Sequence, residues 1–224
     1  MAVAMRTNAE VKQNIEHELA SDSRVESVQI HVHVSEGEVT LKGFVPMYSQ
    51  IIAAEEISRR VPGVFAVRNE LAVKWPEDTP VPPDEEIETH IRSSLLWAPE
   101  IDDGQITVAV ADGIVELRGT VDAFWKKIRA ESIALSVAGV VDIMNELAIV
   151  PTRKMDDQVL AETITESLER NNHVDASGVD VRVENGVATL SGSVTSLAGF
   201  NAIYDAVLYR PGIVDIVNNI AVRS

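Results

Sequence analysis

The chain has 224 residues, 46% of them hydrophobic and 24% charged, and its 35 acids against 19 bases leave a formal charge of −16. This is the composition of a globular protein and excludes a disordered one, while so acidic a surface repels phosphate backbones and argues against nucleic-acid binding. The absence of cysteine excludes a disulfide scaffold, a thiol nucleophile and a cysteine zinc site.

The opening residues, MAVAMRTNAEVKQ, carry no apolar stretch behind a basic start. No secretory signal is expected there, so the expected compartment is the cytoplasm, or the periplasm only if the natural start lies upstream. No run approaches the ~20 apolar residues of a spanning helix, so no transmembrane segment is expected. Thr7 followed by Glu10 reads as a capping box, and Val11, Ile15 and Leu19 then form one helical stripe. Ile30, Val32 and Val34 alternate as a half-buried strand. Glu36-Gly37 turns the chain, and Val39 and Leu41 continue on the buried face with Glu38, Thr40 and Lys42 on the other. A second helix presents Ala54, Ile57 and Val61, stops at Gly63, and gives way to a last strand, VFAVRNELAV.

After a linker rich in proline and acid at 76–83, expected to be extended and semi-rigid, the same order begins again. Asp84, Glu85 and Glu86 open a helix carrying Ile87, Ile91 and Leu95. Ile106, Val108 and Val110 alternate, Asp112-Gly113 is a favoured two-residue hairpin turn, and Ala130, Ile133 and Val137 mark the next helix. A short linker at 151–155 leads to a third pass. It has Asp156 and Asp157, then Leu160, Ile164 and Leu168, then Val179, Val181 and Val183, and an Asn185-Gly186 turn. Its second helix keeps Ile203 and Ala206 but reaches Arg210 where the others have valine, so its last turn is expected to be frayed or exposed.

Gly43, Gly119 and Gly192 anchor the three copies at spacings of 76 and 73 residues. Without gaps, Gly37, Gly113 and Gly186 fall into line, as do Gly63, Gly139 and Gly212, and Asn69, Asn145 and Asn218. The period is too long for a solenoid unit. The expected fold class is α+β: three tandem αββαβ modules at 7–75, 84–150 and 156–223, each a three-stranded sheet with two helices on one face and the other face bare. A module of ~65 residues buries only about 60% of its unfolded surface, so the copies are expected to lean on one another.

Helix, then x-G-x-V-x-L-x-G-x-V (SEGEVTLKGFV, ADGIVELRGTV and, with alanine for valine, ENGVATLSGSV), then helix, then G-V-x-x-V-x-N-x-L, resembles the BON domain, named for bacterial OsmY and nodulation proteins. The resemblance covers nearly the whole chain. It implies an αββαβ fold with no known catalytic residues. It also implies roles of the kind seen in osmotic-stress proteins, phospholipid-engaging envelope lipoproteins, potassium-binding proteins and secretins. The function this suggests is a non-enzymatic, stress-associated binding protein that contacts phospholipid or envelope components. A cytoplasmic potassium or other monovalent-cation sensor, in keeping with the charge, and a protein-interaction scaffold are the alternatives. No cofactor is expected.

Among individual residues, FWKKIRAE at 124–131 is the most pointed stretch. Phe124 and Trp125 beside Lys126, Lys127 and Arg129 at a helix start suit an anionic headgroup, or else Trp125 packs on a neighbouring module and the bases are a solvated face. Trp97, before Pro99, is a second anchor or an interdomain plug. His31 and His33, two apart on one strand, present two imidazoles that suit a metal, but no third ligand is evident, and surface or interdomain packing is the simpler reading. The three asparagines offer carbonyls to an ion or, more simply, satisfy backbone groups at a strand irregularity; recurrence favours the second, since a fold requirement repeats. No nucleophile–base pair, phosphate loop or H-E-x-x-H occurs, so no catalysis is expected.

Overall fold

A computed structural model describes residues 7–76, 79–153, 155–170, 178–195 and 197–222, without the side chains of Asp103, Leu197 and Ala198. The two linkers therefore lie partly outside the described residues, at Glu77 and Asp78 and at Lys154, as do residues 171–177, 196 and 223 of the third module. Among the described residues there are six helices and nine strands, in the order αββαβ three times over. The first module comprises α1 (Asn8–Ser21), β1 (Ile30–Ser35), β2 (Glu38–Val45), α2 (Tyr48–Arg60) and β3 (Ala66–Val73). The second comprises α3 (Asp84–Leu96), β4 (Ile106–Ala111), β5 (Ile114–Val121), α4 (Phe124–Leu135) and β6 (Asp142–Ile149). The third comprises α5 (Asp157–Glu169), β7 (Val179–Glu184), β8 (Val187–Val194), α6 (Leu197–Leu208) and β9 (Asp215–Val222). Two compact units divide the chain: residues up to 91 with 110–115 and 134–143, and residues 92–109 and 116–133 with 144 onward. The dividing line passes through the second module.

Each sheet is three strands in sequence order. In the first and third, a hairpin pairs the first two strands antiparallel, and the last strand adds parallel to the middle one. The parallel pairing needs a crossover, and the module's second helix supplies it. Alternation decides what is buried. Ile30, Val32 and Val34 on β1 and Val39 and Leu41 on β2 turn inward with Val11, Ile15 and Leu19 of α1. His31, His33 and Lys42 turn outward.

The recurring glycines answer to backbone geometry. All three hairpin turns have both central residues at positive φ, with Glu36 at 51° before Gly37 at 79°, and Asp112 and Asn185 each at 52°. Asparagine and aspartate tolerate that region, whereas Glu36 is held there by the strands it joins. At Gly43, Gly119 and Gly192 the φ values are 126°, 124° and 130°, and a Cβ would overlap the carbonyl oxygen of Gln29, Gln105 or Gly178. The middle strand thus passes directly against the backbone leading into the first, and only glycine leaves room.

The capping box forms at α1, where the Thr7 hydroxyl accepts from Glu10 N–H at 3.3 Å and Thr7 N–H donates to the Glu10 carboxylate at 2.8 Å. Asp156 caps α5 by accepting from Gln158 N–H. Asp84 and Asp157 stand in the first turn of their helices, as the sequence suggests, and also make a contact it did not announce. The Asp157 carboxylate accepts from Asn185 N–H at 2.7 Å and Gly186 N–H at 3.0 Å, and Asp84 does the same for Asp112 and Gly113 at 2.8 and 3.0 Å. The first residue of the helix thereby fastens the tip of the hairpin. The second helices are shorter than their apolar spacing suggests. Val61 is the C-cap of α2, and Val137 and Arg210 lie beyond α4 and α6. Arg210 does not leave a frayed turn: its Nε donates to the Ala206 carbonyl at 3.1 Å, satisfying one of the orphan carbonyls at that helix end.

Candidate functional site

The aromatic and basic stretch at the start of α4 is divided between core and surface, with Phe124 buried, Trp125, Lys126 and Lys127 half-buried and Arg129 exposed. Phe124 is only 8% exposed and joins the buried cluster of the third module, with Leu160, Ile164, Val207 and Ile213. The ring that the sequence offered to a headgroup is placed in a core, where a large apolar side chain gains by leaving water. Trp125, Ile128 and Ile149 pack against the same cluster, and the Trp125 ring lies 6.1 Å from that of Tyr209. The second module thus leans on the third through α4. Lys126 Nζ sits 2.7 Å from the Asp122 carboxylate and 5.7 Å from the Trp125 ring. Lys127 is half-buried, and its backbone carbonyl accepts from Asn145.

Arg129 is the most exposed of this group, and it leads to a second feature. Its Nε bonds the Glu100 carboxylate at 3.1 Å, and Glu100 is held below the usual carboxylate range by its own backbone N–H and by this guanidinium. The pair ties α4 to the segment that follows α3. At the end of α3, Leu95 is buried while Leu96 and Trp97 are 64% and 84% exposed. Beside them a shallow pocket of ≈ 220 Å³ is lined by Arg92, Ser93, Leu95, Leu96, Ile106 and Val108, with the Arg92 guanidinium donating to the Val108 carbonyl at 3.0 Å. Two large exposed apolar side chains thus stand at the end of α3, and the pocket shares Leu96 and Arg92 with that end. Neither equivalent position in the other modules is apolar and large: Ala20 and Ser21 in the first, Glu169 and Arg170 in the third. The Trp97 signal was legible in the sequence. The Arg129–Glu100 link, which joins residues 29 apart, was not.

His31 and His33 both lie on the exposed side of β1, opposite Lys42 and Thr40 of β2. Among the described residues no group of three His, Asp or Glu is placed to hold a metal ion.

The asparagines bridge the last strand to the second helix. Asn145 Nδ2 donates to the Lys127 carbonyl at 3.1 Å and to Glu131 at 2.8 Å, while its Oδ1 accepts from Leu147 N–H at 3.2 Å. Asn69 makes the same three bonds, to Ile51, Glu55 and Leu71. Asn218 accepts from Ile220 N–H at 3.1 Å, but its buried Nδ2 has no partner among the described residues. The cause is visible in the alignment of copies: Tyr204 stands where the others have Glu55 and Glu131. Burial pushes the Tyr204 phenol above its ordinary pKa, with Asp205 adding to the effect.

Three tandem αββαβ modules with recurring structural glycines and asparagines define a repeat protein of small α+β domains. The pattern of the BON domain matches residues 7–74, 83–151 and 156–224, and the chain belongs to that family. It is 33% identical over 132 residues to the osmotically-inducible protein Y of Escherichia coli (strain K12), an alignment spanning 58% of this chain and 66% of that protein. Among solved structures it is similar to one described as "Structural studies of CdsD, a structural protein of the Type III secretion system (TTSS) of Chlamydia trachomatis". That match has 16% identity, covers 96% of this chain and 92% of the other, and has a TM-score of 0.27. A second, of the C-terminal domain of CdsD, has 15% identity and the same TM-score, covering 98% of this chain and all of the other. At that score neither likeness supports an argument about assembly or function.

Proposed function

We propose that the protein is a non-enzymatic, stress-associated binding protein that lies against a phospholipid surface through the end of α3 in its second module. Membership of the BON family and similarity to an osmotically-inducible protein support the stress-related part of this reading. The observation that carries the lipid part is the exposure of the neighbouring Leu96 and Trp97 at the end of α3, beside a shallow pocket that Arg92 and Leu96 help to line. Tryptophan and leucine partition into the headgroup boundary, and arginine pairs with phosphate there. With a charge of −16 the whole chain is repelled by an anionic surface at long range. Contact therefore depends on the apolar pair rather than on overall attraction. Among the described residues no helix is long and apolar enough to cross a membrane, so the contact is peripheral.

Co-sedimentation with vesicles of mixed phosphatidylglycerol and phosphatidylcholine tests the proposal. The wild-type chain is expected to pellet with the vesicles. Replacing Leu96 and Trp97 by serine is expected to lower the bound fraction at least roughly tenfold, since each loses the burial of a large side chain worth about 1.5–3 kcal/mol. Equal binding by the wild type and this double variant would overturn it.

A further inference from the structure

We propose that His31 and His33 form a two-imidazole chelating site for a borderline divalent transition-metal ion such as zinc or nickel. The two side chains lie on the exposed sheet face of the first module. Three observations carry it. β1 alternates strictly, with Ile30, Val32 and Val34 buried, so that both imidazoles project from one face of an edge strand. Both side chains are exposed, and among the described residues neither has a hydrogen-bond or ion-pair partner, so their ring nitrogens are uncommitted. Finally, the cation opposite His31 is spoken for: Lys42 Nζ lies 3.0 Å from Glu70, its partner across the sheet on β3.

The geometry suits chelation. Two residues along a strand are roughly 6.8 Å apart with side chains on the same side. A metal–nitrogen bond of about 2.0–2.1 Å asks the two ring nitrogens to converge within a few ångströms, a distance that rotation of two unrestrained imidazoles closes. Imidazole nitrogen favours zinc, copper and nickel, whereas magnesium, calcium and potassium favour oxygen. With two protein ligands the remaining coordination positions belong to water. The site is peculiar to the first module. The second has Thr107 and Ala109 at these positions, and in the third Asp180 and Arg182 are bound to each other at 3.0 Å.

Calorimetric titration of the full chain with nickel chloride in a non-coordinating buffer tests this. Saturable binding of one ion per chain is expected, with no comparable heat from magnesium. His31→Ala and His33→Ala are each expected to weaken binding at least roughly tenfold, in line with the sensitivity of metal sites to loss of a supporting group. The exposed His17 and His90, on α1 and α3, serve as controls, and replacing them by alanine is expected to leave the titration unchanged. Melting temperatures check that the variants fold, and substitutions at exposed strand positions leave them near wild type. Wild-type affinity in the His31→Ala/His33→Ala double variant would overturn the proposal and assign the heat to the acidic surface. A wild-type chain without saturable nickel binding would overturn it outright.

Discussion

Replacing Phe124 by alanine unfolds more than the helix that carries it. The ring is 8% exposed within the buried cluster of the third module. An aromatic ring buries at least ~150 Å², which at about 20–25 cal/mol per Å² is worth ~3–4 kcal/mol. That lies within the ~3–5 kcal/mol that such truncations cost. Domains of this size hold only a few kcal/mol of stability. The loss is therefore comparable to everything the third module has, and it is charged to a residue outside that module. Amide hydrogen exchange reads this directly. In the variant, α5 and β7–β9 are expected to lose protection together with α4, while β1–β3 exchange as in the wild type. Undiminished protection across β7–β9 would refute the view that Phe124 belongs to the third core.

Three further outcomes follow from local geometry. Gly119→Ala places a Cβ into the Gln105 carbonyl at a φ of 124°, and chemical denaturation is expected to show a loss of at least ~2 kcal/mol; Gly104→Ala, where a Cβ makes ordinary contact with Asp102 at 3.5 Å, is expected to stay within ~0.5 kcal/mol. Asn145→Ala removes three hydrogen bonds and is expected to cost ~2–3 kcal/mol, against about 1 kcal/mol or less for Asn218→Ala, whose amide is already unpaired; equal losses would count against the bridging role. Hydrogen bonds from the Arg24 side chain and backbone hold Asp22 down at about 2, below its ordinary 3.8. A depressed carboxylate adds stability that is complete above its unfolded pKa and lost as pH falls through the folded one. The melting temperature of the wild type is therefore expected to fall more steeply between pH 4 and pH 2 than that of Asp22→Asn.

The repeated features were the legible ones, for a physical reason. A requirement of the module, such as the αββαβ order, the glycine against the Gln29 carbonyl or the strand asparagine, is written three times and stands out by recurrence. What happens once has no such echo. Phe124 occupies the position of Tyr48 and Leu197, and nothing in its neighbours says that its ring enters another module's core. Its flanking lysines pointed instead to a headgroup, because charge near an aromatic ring looks the same whether the ring is wet or buried. The bracing of the hairpin tip by Asp84 and Asp157 was hidden for a related reason. Acids at a helix start satisfy the dipole rule, and the contact partners lie 28 and 29 residues away. Asn8 holds that place in the first module, so even the recurrence is broken.

The proposed membrane contact places Trp97 in the lipid and Trp125 against Tyr209 inside the protein. Vesicles with brominated acyl chains quench an indole only when it reaches the boundary of the hydrocarbon. In chains keeping a single tryptophan, the fluorescence of Trp97 is expected to be quenched and that of Trp125 to remain unchanged. Quenching of Trp125, or of neither, would contradict the account.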